Sequence, residues 1–310
     1  MSSSSEIVVV WGEVLWDRFP DGDQLGGAPA NLAWHVGQAG TWVRLVSRVG
    51  GDGDGRRAIE QLADFVDPAL IQIDPERATG EVTVRLEGAE PRYTLAPGRA
   101  WERIEYTDAV ASALEEGIDV FVYGTLAQRK PEGLMGWRAA VAAARCLRVC
   151  DLNLRPTDQN APAIAEAIAA ADVLKVNDRE LDALRGWFGW ADPVAALRDP
   201  TRIPRADGAP MPLTVAQGAR LVVVTHGADG STLYGDGAPI RIAPTAAAAG
   251  GDHVGCGDAY LAILVHGLAL GADLATSGRL AGRWAAAVAE VRGATPRFTE
   301  TQIADLLELA

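Results

Sequence analysis

Cysteine is scarce in this chain: three in 310 residues, at positions 146, 150 and 256. An odd, sparse set without metal-ligand spacing excludes a disulfide framework or a structural zinc site and predicts reduced thiols of a cytoplasmic protein. Cys146 and Cys150 are four apart, but Leu147 to Asp151 reads as a strand, so the two need not share a helical face. Positive charge is also short. Lys and Arg number 28 against 41 Asp and Glu, a formal net charge of −13. So acidic a surface argues against nucleic acid or an anionic membrane as the main partner, but not against a phosphate ligand held by local N–H groups. Long apolar runs are missing too. Met1 to Glu6 is a polar stretch with no basic residue, and Ile7 to Trp11 is too short for a signal segment or a membrane span. The alanine-rich runs at 139–144 and 285–289 sit among charged residues and read as packed helices of a soluble protein. Two nucleotide-binding patterns are absent as well. No Lys-Ser or Lys-Thr follows the glycines near 255, which excludes a Walker A loop. No Gly-x-Gly-x-x-Gly follows the first strand, which argues against an NAD-dependent dehydrogenase.

What is present is apolar material, 48% of the chain, enough for a sizeable core in one large α/β domain or two smaller ones. Short apolar runs of strand length occur at Ile7–Trp11, Trp42–Val46, Val120–Tyr123, Leu147–Cys150, Val173–Val176 and Leu221–Thr225. Between them lie helical patterns over 28–39, 56–65, 107–116, 131–145, 161–171 and 178–184. Repeated strand–helix units with near-continuous apolar strands predict a parallel sheet covered on both faces, its binding loops gathered at the strand C-termini. The rhythm breaks twice. Residues 70–101 look β-rich with no helical period, suiting a small projecting sheet or an ordinary surface hairpin. Residues 186–212 read as a partly irregular excursion with a helix at 193–197. A hairpin around Gly235-Asp236-Gly237 and three helices, 258–270, 274–291 and 299–309, complete the chain.

The most telling stretch is Asp252-His253-Val254-Gly255-Cys256-Gly257-Asp258, ahead of the apolar run from Ala259 to Leu270. A glycine-rich turn that opens a helix offers free backbone N–H groups and the positive end of the helix dipole to an anion. Gly255 and Gly257 let the main chain lie close to it. Asp258 then has a carboxylate able to take a proton from an attacking hydroxyl, the arrangement phosphoryl transfer to an alcohol requires. The plainer alternative is a turn in which Asp258 only caps the helix.

Two further segments join it: Gly12-Glu13-Val14-Leu15-Trp16-Asp17 after the first strand, and Gly26-Gly27-Ala28-Pro29-Ala30-Asn31 opening a helix. Together the three resemble the signatures of ribokinase-like, PfkB-type carbohydrate kinases, and within them bacterial fructokinases. Weaker matches, at 124–127, 151–155, 177–180 and 225–227, extend the likeness nearly end to end. The resemblance implies a ribokinase-like αβα sandwich, Rossmann-like, as a single domain over 1–310. Its small β-lid would come from about 70–105 plus part of 13–25. It implies ATP and Mg²⁺, with K⁺ as a candidate activator. By resemblance Asp258 is the catalytic base, and Gly255, Cys256 and Gly257 form the anion hole. Asp17, Gly26, Gly27, Asn31 and Arg155 bind the sugar. Asn177, Glu180, Thr225 and Gly227 serve the nucleotide, with Glu180 reaching Mg²⁺ through water and Asp252 near a monovalent cation. The chain departs from the family at His253 and Cys256. A thiol at a helix N-terminus is expected to have a lowered pKa.

The expected reaction is transfer of the γ-phosphoryl group of MgATP to a sugar hydroxyl, D-fructose first among acceptors. Alternatives are ribose, 2-keto-3-deoxygluconate or a nucleoside as acceptor, or a non-catalytic sugar- or nucleotide-binding regulator. A keto-acid would call on Arg92, Arg99 or Arg103, and a nucleoside on Tyr93 or Trp101. The resemblance also makes a homodimer paired through the exposed lid strands a candidate assembly.

Overall fold

The computed structural model of the protein describes residues 6–87, 90–154, 161–199 and 219–308. Its strands are β1 (Ile7–Trp11), β2 (Leu15–Phe19), β3 (Gly22–Gly26), β4 (Trp42–Gly50), β5 (Ile71–Asp74), β6 (Gly80–Glu87), β7 (Glu90–Leu95), β8 (Val120–Tyr123), β9 (Leu147–Asp151), β10 (Val173–Asn177), β11 (Leu221–Thr225), β12 (Ser231–Tyr234) and β13 (Ile240–Ile242). Its helices are α1 (Ala28–Gln38), α2 (Gly53–Leu62), α3 (Asp108–Glu115), α4 (Pro131–Ala143), α5 (Ala161–Ala170), α6 (Asp178–Phe188), α7 (Pro193–Arg198), α8 (Cys256–Ala269), α9 (Leu274–Ala289) and α10 (Glu300–Leu307).

Among the described residues, nine strands pair in the order β13-β12-β11-β10-β9-β8-β1-β4-β5. All pairings from β11 to β5 are parallel, and β12 and β13 run antiparallel at one edge. Strand β1 shows why these segments read as unbroken apolar runs. Val8 and Val10 enter one core with α1, α8 and α9, while Val9 and Trp11 enter the other with α3, α4 and α5. A strand buried on both faces needs apolar residues at every position. The result is three layers, helix, sheet and helix.

A second sheet, in the order β3-β2-β6-β7, stands apart from the first. It draws its strands from both sides of α1 and α2. One part of the β-rich stretch does otherwise. β5 pairs in parallel with β4 at the edge of the main sheet, and Ala100–Arg103 forms a short 3₁₀ turn that buries Trp101. Both are too short to show a period in the sequence. Helix α6 runs to Phe188, four residues past its expected end, where Gly189 in the left-handed conformation (φ 67°) closes it. All three cysteines are free thiols. Among the described residues no helix is long and apolar enough to cross a membrane.

After β1 the chain supplies β4 and β5 on one side, then returns to build β8 through β11 on the other. The order therefore reverses between β1 and β8. In such a sheet the helices flanking the reversal diverge and leave a crevice beyond the strand C-termini.

Candidate active site

That crevice is where the sequence motifs converge. A pocket between the ends of β1 and β8 is lined by Glu13, Pro29, Gly124, Thr125, Asp151 and Asn153, among others. Asn153 is the one non-glycine residue with positive φ (41°) among those described, a strained conformation of the kind that gathers at binding sites.

Glycines allow the close approaches on the β1 side. A methyl placed on Gly26 would fall 2.4 Å from Asp17 Oδ2, and one on Gly27 (φ 101°) would fall 2.4 Å from the Glu13 carbonyl oxygen. Asp17, on β2 beside β3, therefore lies over bare backbone at the mouth of α1. Asn31, one turn into α1 and 5% exposed, donates from Nδ2 to Asp258 Oδ2 at 2.8 Å. That hydrogen bond spans 227 residues of sequence and joins two of the three motifs.

Asp258 lies in the first turn of α8 and is buried. Gly255 caps the helix in the left-handed region (φ 75°) with no side-chain capping bond. The turn rests on the loop at 293–296, since a methyl on Gly255 would meet Ala294 Cβ at 2.6 Å. Asp252 fastens the same contact, accepting from Val254 N at 3.0 Å and Gly293 N at 3.2 Å. From α1, Trp34 and Gln38 donate to the Pro296 carbonyl, and the fully buried His35 holds the Ala294 carbonyl at 2.9 Å. Trp284 Nε1 donates to His35 Nδ1, so the His35 proton sits on Nε2 and is given to Ala294.

The residues expected to serve the nucleotide lie at the ends of β10 and β11. Asn177 and Glu180 form a reciprocal capping box at the start of α6. Glu180 Oε2 accepts from Asn177 N and Oε1 from Leu154 N, both at 2.8 Å. Burial raises the Glu180 pKa, with the Lys175 charge opposing it. Thr225 ends β11, its hydroxyl 3.4 Å from the Val176 carbonyl, and Gly227 (φ 58°) turns the chain beyond it. Among the described residues no cluster of three or more His, Cys, Asp or Glu is arranged to hold a metal ion.

Several expectations change. Arg155 lies outside the described residues. The Cys256 thiol is not activated: burial, then the charges of Asp252 and Asp258, push its pKa up to about 11 and outweigh the helix terminus. His253 is exposed. Trp101 is fully buried under Arg129 and offers no face to a nucleoside. Arg99 pairs with Glu81 and Arg103 with Glu132 at the surface. The side chains of Arg92 and Tyr93 lie outside the described set.

Two residues were missed by reading the sequence. Glu13, 3% exposed, lines the pocket; its signal was an acid directly after the strand-ending Gly12. Lys175 is 4% exposed in the middle of β10, and its Nζ donates to Asp151 Oδ1 at 2.9 Å from the neighbouring strand. Its signal was a lone charge inside Val-Leu-Lys-Val.

Residues 22–302 match the pfkB family of carbohydrate kinases, and the chain belongs to that family. An uncharacterized sugar kinase of Pyrococcus horikoshii is 28% identical over 299 residues, 92% of this chain and 86% of that protein. Its crystal structure superposes with a TM-score of 0.77 over 94% of both chains. A fructokinase of Klebsiella pneumoniae is 26% identical over 278 residues, 84% of this chain and 83% of the other. The structure of a Xylella fastidiosa fructokinase, at 21% identity, shares the fold with a TM-score of 0.83 over 97% of this chain and 98% of that one.

Proposed function

We propose that this carbohydrate kinase transfers the γ-phosphoryl group of ATP to a hydroxyl of a neutral sugar, D-fructose first among candidates. The observation that carries this reading is the Asn31–Asp258 hydrogen bond. It places the polar residues at the mouth of α1 beside the N-terminus of α8, so one hydroxyl can face both the acid and the anion-binding turn.

In this reading Asp17, Asn31 and the backbone of Gly26 and Gly27 bind the sugar, and Arg155 belongs to the same group by its place in the sequence. Asp258 accepts the proton as the hydroxyl oxygen bonds to the γ-phosphorus. The bond to the β-phosphate bridging oxygen breaks, and ADP leaves. The N–H groups of Gly255, Cys256 and Gly257 meet the charge that develops on the phosphoryl oxygens. Asn177, Glu180, Thr225 and Gly227 serve the nucleotide. Both Glu180 oxygens already accept backbone N–H bonds, which suits contact with Mg²⁺ through water, the ion neutralising phosphate charge. Asp252 is where K⁺ would act, tightening a tether the carboxylate already forms with Gly293. The small sheet serves as the lid of a single domain, and its edges β3 and β7 as the surface for a second copy. ATP complexes of the Pyrococcus kinase and of the Xylella fructokinase support the choice of donor.

Glu13 and Asp151 line the neighbouring pocket and offer acceptors to sugar hydroxyls, which supports a polyol substrate. The test is an ADP-release assay across fructose, ribose, 2-keto-3-deoxygluconate and nucleosides. Fructose is expected to have the highest kcat/KM. Asp258→Asn should lose about 10³-fold in kcat, within the usual range for a general base. Asp17→Ala should chiefly raise the sugar KM. Near-normal turnover in Asp258→Asn would defeat the assignment.

A further inference from the structure

Lys175 has a placement that fold stability does not account for. It alternates with Leu174 and Val176, which face the α5 side, and so points toward α8 with Val173. A buried ion pair contributes little net stability, because desolvation consumes most of the attraction. A β-branched residue would fill a central strand better. The lysine also stands on the wrong side of the helix dipole. A methyl on Gly257 would lie 3.0 Å from Lys175 Nζ, so the ammonium abuts the first turn of α8, where positive potential is already high.

Its charge is nonetheless secure. Burial lowers the Lys175 pKa, but the carboxylates of Asp151, Glu180 and Asp258 outweigh it and push the value up to about 12. An ammonium has three donors. One goes to Asp151, and among the described residues no acceptor takes the other two. A permanent cation with spare donors, set behind a turn of free N–H groups, is arranged for an acceptor that arrives with a ligand and bears negative charge.

We infer that Lys175 belongs to the phosphoryl-transfer site, where its ammonium, held by Asp151 behind Gly257, supplies fixed positive charge to the group bound at the α8 N-terminus. The inference rests on the kinase reading above. It adds a cation to a site whose other described positive elements are backbone dipoles. It also gives Asp151 a defined task, orienting that cation from the neighbouring strand.

The discriminating measurement is affinity for ADP against a non-hydrolysable ATP analogue, with turnover alongside. The variants are Lys175→Arg, Asp151→Asn, and the double variant Lys175→Met with Asp151→Asn, which removes the ammonium together with the carboxylate it bonds. In the double variant ADP affinity should stay within about threefold of wild type. Affinity for the analogue should fall about tenfold, and kcat about 100-fold, in line with losing one preorganised stabiliser of transition-state charge. The sugar KM should stay within about threefold. Asp151→Asn alone should lose less, and Lys175→Arg should keep the preference for the analogue. A folded double variant with unchanged analogue-to-ADP preference and kcat overturns the inference. So does loss of the fold in both lysine variants, which would assign the lysine to structure alone. If either of these results is found while wild-type enzyme turns over and Asp258→Asn does not, only the lysine assignment falls. A wild type that phosphorylates no sugar removes the underlying reading and this inference with it.

Discussion

His35 carries no chemistry in the proposed reaction, yet it fixes the site. Its Nε2–H holds the Ala294 carbonyl, and Ala294 supports Gly255. Complete burial lowers its pKa to about 4, and the bond to Ala294 only partly opposes this. Because the folded-state value lies below the unfolded one, the unfolded chain binds more protons between pH 6.5 and 4. Stability is therefore fully present above about pH 6.5 and is lost as pH falls. The loss should be about 2 kcal/mol by pH 5 and about 3 kcal/mol in full. Denaturant melts at pH 7 and pH 5, repeated for His35→Gln, check this; a slope unchanged by the substitution would assign the acid sensitivity elsewhere. None of this was legible in the sequence, where His35 is one apolar-face residue of a helix. The left-handed turn at Gly255 and the start of α8 were legible because a glycine-rich turn before an apolar helical run is a local pattern.

Helix α8 offers a test with its own control. It is bracketed by two left-handed glycines, Gly255 (φ 75°) and Gly271 (φ 72°). A methyl at Gly271 meets nothing within 4 Å, whereas one at Gly255 strikes Ala294. Gly271→Ala should cost only the left-handed backbone penalty, about 1 kcal/mol. Gly255→Ala adds a steric clash and should cost about 2 kcal/mol or more, along with turnover. Equal melting temperatures in the two variants would show that the 293–296 loop does not brace the turn. Element boundaries were legible where capping chemistry is local, as at Asn177 and Glu180. They were not legible for β5, whose four residues become a strand only because β4 continues to Gly50 and offers an edge.

The molecule as a whole places the two halves of the site on different elements. In the proposed reading α1 and the small sheet serve the sugar, and α6, α8 and the end of β11 serve the nucleotide. Each ligand should therefore stabilise the fold on its own. At a hundred times its Kd, MgATP should add about 2.7 kcal/mol, or about 4 °C in Tm for a chain of this length, and fructose at the same multiple a similar further increment. Absence of either shift would remove that ligand from the reading. The alternation of strands and helices, the glycine-rich turn before α8 and the kinase family were present in the sequence, because periodicity and glycine–aspartate spacing are local constraints. The Asn31–Asp258 bond, the Lys175–Asp151 pair behind Gly257 and the raised pKa of Cys256 were decided only by tertiary structure. Each depends on which strands become neighbours and how much water they exclude, and no local stretch of chain encodes either.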